Sequence, residues 1–182
     1  MRSDPAGIAV LIDRDGTMGG EYYVKHPQDY SPYPGTREAF QAFAKARLPA
    51  YIVTNQSCIA RGLDGGYDFA AEFRDIGAAD WFICPHDTQD HCHCRKPETG
   101  LIEQARDRHH LQLSRCYMVG DRWTDMLAGG RMGMKLVLVK TGRGPEALGA
   151  DRPLWADYEP AYVADTLLTA AQWIIQQEQG ES

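Results

Sequence analysis

Five short apolar runs, most ending in a polar motif, constrain the fold of this chain most: "IAVLID" (8–13), "AYIVTN" (50–55), "DWFIC" (80–84), "CYMVGD" (116–121) and "KLVLVKTG" (135–142). They are too short for buried helices and too continuously apolar for strands with one wet face. Helix-like segments separate them, at about 35–46, 67–77, 98–110, 123–132 and 161–178, and Gly35 and Thr36 offer a start for the first. Buried strands alternating with helices predict an α/β fold, a parallel sheet covered by helices on both faces. The chain shows no repeat, low-complexity tract or break in composition, so residues 1–182 read as a single domain. In such sheets ligands bind outside the carboxyl ends of the strands. The sequence puts Asp13 and Asp15 at the end of the first run, Thr54 and Asn55 at the end of the second and Asp121 at the end of the fourth.

Asp13, Asp15, Asp121 and Asp125 would then form a carboxylate cluster, and like charges that close repel unless a cation sits among them. Oxygen ligands suit a hard ion, and magnesium is the usual choice when phosphate is a co-ligand. Arg95, Lys96 and Arg122 bring positive charge to the same rim, and Thr54 and Asn55 bring neutral donors. Such a constellation suits a phosphoryl group. Asp13, at the strand end, is the expected nucleophile, because a carboxylate can attack phosphorus to give an acyl-phosphate. Asp15, two residues on, is expected to protonate the leaving oxygen and then take a proton from the hydrolytic water. Gly16 would allow the turn that brings Asp15 over the site. Asp125, one helical turn past Asp121, is expected to support the metal's ligands rather than bind the metal itself, with a helix cap as the alternative.

Three of the five cysteines lie in "CPHDTQDHCHC". Cys84, His86, Cys92 and Cys94, spaced C-x-H-x5-C-x-C, can make a closed tetrahedral zinc site. His91 and His93 are rival ligands, because alternate residues of an extended loop share a face. A closed site leaves no position for substrate, so the zinc is expected to staple the loop and fix Arg95 and Lys96 behind it. Cys58 and Cys116 are expected as free thiols. His109 and His110 read as a solvated helix face, Trp155 and Trp173 as packing, and the tyrosine-rich segment 21–35 as a partial lid, with core packing as the alternative.

"DRDGT", "VTN", Lys96 of "CRKP" and "GDRWTD" follow one another in the order of the four motifs of the haloacid dehalogenase superfamily, whose phosphatase branch this chain resembles. The resemblance runs from residue 8 to about 142. Within that superfamily, "VTNQSCIARG", "CPH…CHCRKP" and "LVKTG" are similar to the D-glycero-D-manno-heptose 1,7-bisphosphate phosphatases and their relatives, the histidinol-phosphate phosphatases. The resemblance implies a Rossmann-like haloacid dehalogenase fold with a minimal cap and a zinc-stapled loop. It implies magnesium held by Asp13, the Asp15 backbone carbonyl and Asp121, with Thr54 and Lys96 gripping the phosphoryl group and Arg95 aiding substrate recognition. Cys58 stands where a glycine is usual after "TNQS", Arg122 where many heptose phosphatases have lysine, and only 41 residues separate Thr54 from Lys96.

The expected function is a magnesium-dependent phosphomonoesterase acting on a sugar bisphosphate, with histidinol phosphate or another small phosphorylated metabolite as alternatives. A phospho-receiver module is the rival class. It keeps its phosphate and lacks a second acid two residues after the first, so Asp15 and the cysteine cluster weigh against it. A net charge of −6 weighs against non-specific nucleic-acid binding. No apolar run approaches the roughly 20 residues of a membrane span. "MRSDPAG" lacks the apolar core of a signal peptide, so a cytoplasmic protein is expected.

Overall fold

The computed structural model describes residues 7–20 and 25–180. Strands β1 (Val10–Ile12), β2 (Ala50–Asn55), β3 (Asp80–Cys84), β4 (Tyr117–Gly120), β5 (Lys135–Val139) and β6 (Tyr162–Ala164) form one parallel sheet in the order β3-β2-β1-β4-β5-β6. The helices are α1 (Thr36–Lys45), α2 (Ser57–Ala60), α3 (Phe69–Ile76), α4 (Gly100–His109), α5 (Trp123–Arg131), α6 (Gly144–Leu148) and α7 (Leu167–Gly180). The chain steps outward from β1 to β3, then crosses back through α4 to β4 on the other side of β1 and steps outward again. Right-handed crossovers in opposite directions place their helices on opposite faces.

The strand pleat divides the core accordingly. Val10 and Ile12 pack with Phe40 and Phe43 of α1, Phe73 of α3 and Ile174 of α7. Ala9 and Leu11 point the other way, to Leu101 and Ile102 of α4, Met126 of α5 and Trp155. In α1 the apolar residues Ala39, Phe40 and Phe43 recur at helical spacing and are the ones buried. Thr36 opens that helix and donates its hydroxyl to Met18 O at 2.6 Å, tying it to the turn after β1. No helix among the described residues is long and apolar enough to cross a membrane.

The strand order reverses between β1 and β4, and ligand crevices open at such switch points. Ile12 pairs with Val119 and with Ile52, so Asp13 and Asp121 leave the sheet side by side. Asp13 N also donates to Val119 O at 3.0 Å. Among the described residues no inserted domain covers this end. The described residues between β2 and β3 hold only α2, α3 and their turns, and those between β1 and α1 hold a 3-10 turn, Pro27–Asp29.

Two sequence expectations need correction here. Segment 161–178 is not one helix: Tyr162–Ala164 is the edge strand β6, paired with β5, and α7 begins only at Leu167. Reciprocal bonds between Thr166 and Thr169, with each Oγ1 accepting from the other's backbone N–H, mark the helix start. Second, His109 is not on a solvated face. It stacks on Tyr51 at 4.3 Å and bonds Asp80 at 2.7 Å, while His110 is exposed. Trp155 is buried in the core, and Trp173 stacks on Tyr162. In the tyrosine-rich segment, Tyr23 and Val24 lie outside the described residues, as do residues 1–6. Tyr30 packs inward on Arg14 and the Tyr33 hydroxyl donates to Gly20 O.

Candidate active site

The carboxyl ends of β1, β2 and β4 open into a crevice of about 570 Å³, lined among others by Asp13, Asp15, Arg95, Lys96, Arg122 and Asp125. Lys96, fully enclosed, is its electrostatic centre. Its Nζ donates to Asp13 Oδ1 and to Val53 O, both at 2.7 Å, and pairs with Asp125 Oδ1 at 2.7 Å. Burial alone would lower the pKa of this ammonium. Asp125 and Asp13 outweigh that and hold Lys96 above the ordinary lysine range. Asn55, expected as a donor to phosphate, spends its amide on the Lys96 backbone: Nδ2 donates to Lys96 O and Oδ1 accepts from Lys96 N, each at 3.0 Å. It fixes the chain that carries Lys96.

Asp121 sits opposite. Its Oδ1 accepts from the Thr17 hydroxyl at 3.2 Å and its Oδ2 from Arg143 N at 2.8 Å, while Arg122 Nε stands 4.0 Å away. The approach is close enough that a Cβ on Gly16, whose φ is +91°, would lie 2.1 Å from Asp121 Oδ2. Burial, then the charges of Asp13 and Asp125, push Asp121 up to about 8. Burial and Asp13 likewise raise Asp125 to about 6, against the pull of Lys96. Asp125 also accepts Arg122 N at 3.2 Å, so the two roles considered for it, cap of α5 and member of the acid group, coincide.

One carboxylate oxygen each from Asp13, Asp121 and Asp125 lies within 4.8 Å of the other two, and all three residues are buried. Three clustered carboxylates against one enclosed ammonium are short of positive charge, and their donors are all oxygen. That set fits a hard divalent cation.

Asp15 lies beside this group, its carboxylate held at both ends. Arg14 Nη1 donates to Oδ1 at 2.8 Å and Gln56 Nε2 to Oδ2 at 2.6 Å. Burial raises its pKa above the ordinary carboxylate value, Arg14 opposes that, and Asp13 adds to it. Gln56 Nε2 also donates to Thr54 Oγ1 at 2.8 Å, so Thr54 keeps its own proton to donate. Arg95 lines the crevice while its Nη1 donates to Ser57 Oγ at 2.7 Å and His86 O at 3.2 Å.

Behind Arg95 the four expected zinc donors converge. Cys84 Sγ stands 3.6 Å from Cys92 Sγ, 3.2 Å from Cys94 Sγ and 3.6 Å from His86 Nδ1, and Cys94 Sγ is 3.2 Å from that nitrogen. Zinc–sulfur bonds of about 2.3 Å in a tetrahedron give edges of about 3.7 Å, so the set fits zinc. Burial, with the neighbouring thiols adding to it, pushes Cys84 up to about 12, crowding that a soft cation relieves. His93 instead bonds Glu103 at 3.1 Å, and His91 is exposed on the crevice wall. Arg14, Gln56, Thr17 and Glu72 also shape the site and were not singled out in the sequence. The one signal in the sequence that could have drawn attention to Arg14 is its place between two acids at a strand end.

Known proteins resemble this chain over most of its length. A HAD-hydrolase-like family profile matches residues 93–170. The D-glycero-beta-D-manno-heptose-1,7-bisphosphate 7-phosphatase of Pseudomonas aeruginosa is 32% identical over 92% of this chain and 97% of its own. That of Escherichia coli K12 is 35% identical over 78% of this chain and 85% of its own. A solved D,D-heptose 1,7-bisphosphate phosphatase from B. bronchiseptica, complexed with magnesium and phosphate, is 29% identical, with a TM-score of 0.78 over 93% of this chain and 98% of that one. These relatives are phosphatases, which favours the enzyme over the receiver module that the sequence raised as its rival. With motifs, sheet order and relatives in agreement, the chain is a phosphatase and belongs to the haloacid dehalogenase-like hydrolases, in the branch of the heptose bisphosphate phosphatases.

Proposed function

We propose that this phosphatase is a magnesium-dependent phosphomonoesterase that removes one phosphate from D-glycero-D-manno-heptose 1,7-bisphosphate through an aspartyl-phosphate on Asp13. The observation that carries the reading is the juxtaposition of Asp13, locked by Lys96 at 2.7 Å, with Asp15, whose carboxylate lies beside it but is held by different partners. Two acids in separate settings can take separate roles. Asp13 attacks phosphorus while the bond to the leaving oxygen breaks, and Asp15 passes its proton to that oxygen. Asp15, now a carboxylate, takes a proton from water as the water attacks the aspartyl-phosphate. Phosphate leaves and both acids return to their starting states. Thr54 and Lys96 grip the transferring group.

Asp13, Asp121 and the Asp15 backbone carbonyl would hold magnesium, with Asp125 in support. When bound, the ion supplies charge neutralisation to the phosphoryl oxygens. Cys84, His86, Cys92 and Cys94 would hold a structural zinc. The substrate assignment is supported by the names of the relatives and by Lys25, Arg95 and Arg122 on the crevice wall, cations suited to a second phosphate.

The test is hydrolysis of a panel of phosphorylated metabolites with magnesium, including both anomers of the heptose bisphosphate and histidinol phosphate. The heptose bisphosphate should give the highest kcat/KM. Asp13→Asn should lose at least about 10³-fold in kcat while keeping its fold. Preference for another ester would replace the substrate assignment. A wild type as inert as Asp13→Asn on every ester would overturn the mechanism.

A further inference from the structure

We infer that Arg14 is a positioning residue for Asp15, its enclosed guanidinium aiming that carboxylate at the leaving oxygen. The inference rests on the phosphatase reading above and deepens it.

Arg14 does not line the crevice and has no solvent exposure. Its Nε and Nη2 make a two-pronged bond to Glu72 of α3, at 2.8 Å to Oε1 and 2.7 Å to Oε2. Its remaining edge donates from Nη1 to Asp15 Oδ1 at 2.8 Å. The Tyr30 ring stacks 3.7 Å from the guanidinium carbon, and the Phe69 ring lies 5.3 Å from it. Glu72 is itself fixed, accepting the Tyr67 hydroxyl at 2.7 Å. A planar fork held along two edges and a face has no freedom left to turn.

Stability does not account for this arrangement. Enclosing a guanidinium is costly, and a buried ion pair on average does no better than well-packed apolar residues of the same volume. The fork does something an apolar residue cannot: it ties the carboxylate of the proton donor to a helix 58 residues further along the chain. Gln56 holds the second carboxylate oxygen at 2.6 Å, so the two donors together select one orientation of Asp15. Proton transfer requires the acid in line with the leaving oxygen, and small misplacements cost large factors in rate. As the phosphorus–oxygen bond breaks and the proton moves to the leaving oxygen, Arg14 also faces the carboxylate charge that remains on Asp15.

The test compares two esters by kcat/KM, which reports only the steps up to release of the leaving group. Dinitrophenyl phosphate has a leaving group that needs no proton; a sugar phosphate has one that does. Arg14→Met should lower kcat/KM for the sugar phosphate about 100-fold and for the dinitrophenyl ester by less than roughly threefold. Arg14→Lys, which keeps charge but cannot hold Glu72 and Asp15 in one plane, should fall between Arg14→Met and the wild type on the sugar phosphate. Glu72→Gln, which leaves the Arg14–Asp15 bond but loosens its anchor, should show the same selectivity at roughly tenfold. That variant decides the matter if Arg14→Met does not fold. Equal losses on both esters in the folded variants, or no loss on either, would overturn the inference and leave the phosphatase reading intact. A wild type that hydrolyses neither ester with magnesium would overturn both.

Discussion

At the scale of single residues, the site depends on how closely Asp121 approaches the turn after β1. Gly16 combines a φ of +91° with a Cβ direction that runs into Asp121 Oδ2 at 2.1 Å, so Gly16→Ala both strains the backbone and displaces a carboxylate. Gly133 separates the two effects, because its φ is +69° and nothing lies within 4 Å of its Cβ position. Gly133→Ala should cost about 1 kcal/mol, the backbone penalty alone, and Gly16→Ala at least about 3 kcal/mol together with weakened magnesium binding. Thermal unfolding and a magnesium titration of the two variants would check this; equal costs would show that the contact with Asp121 is not what requires glycine there. Residues of this kind were unevenly legible in the sequence. Asp13, Asp15, Lys96 and Asp121 could be read because each ends a recognisable apolar run or motif. Arg14 could not be assigned a role, because its anchor Glu72 lies 58 positions away and only the packing of α3 against the turn brings the two together. The use of Asn55 on the Lys96 backbone was hidden for the same reason.

At the scale of elements, the buried strands were the easiest to read. β2 and β3 span the residues expected, because an uninterrupted apolar run bounded by polar residues leaves little room for another assignment. The edge strand β6 was lost inside a helix because only one side of it pairs, so its sequence carries a weaker pattern. The loop between β3 and α4 is rich in polar residues, and four metal-suited side chains converge at its base. One equivalent of zinc should therefore copurify with the protein, and Cys94→Ser should release most of it. The loss should cost about 2–3 kcal/mol, a fall in melting temperature of roughly 5–10 °C. Arg95 and Lys96 directly follow Cys94, so the variant should also lower kcat/KM. Elemental analysis finding no zinc in the wild type would remove the staple. Zinc loss with unchanged kcat/KM would mean that the loop is stapled but Lys96 is held in place by Asn55, Asp13 and Asp125 without it.

At the scale of the whole molecule, the fold gathers charge that no local segment would tolerate. Asp13 and Asp121 at the ends of β1 and β4, Asp125 in the first turn of α5 and Lys96 in the loop before α4 meet only because the sheet reverses its order between β1 and β4. The folded chain must therefore hold carboxylates in a place that disfavours their charge, and this links metal, proton and stability. Asp121 is held up to about 8 in the folded protein, against 3.8 for a free side chain. A carboxyl whose folded value is raised favours folding at low pH, and that contribution disappears as the pH rises from about 4 through about 8. The metal-free protein should thus lose stability across that window as Asp121 is forced to ionise. Magnesium held there as proposed would act in the opposite direction, because it would bind the ionised form and have to displace the proton below pH 8. Its affinity should fall about tenfold for each unit of pH from 8 toward 6, where Asp125, held up to about 6, begins to contribute as well. Melting curves at a fixed magnesium concentration should accordingly show a larger stabilisation at pH 8 than at pH 6. Asp121→Asn should lower the stabilisation by magnesium at pH 8 and flatten its dependence on pH, while making the metal-free protein less sensitive to alkaline pH. A magnesium effect equal at both pH values in the wild type would mean that Asp121 is already ionised before the metal arrives, and that Lys96 and Arg122 neutralise the cluster without it.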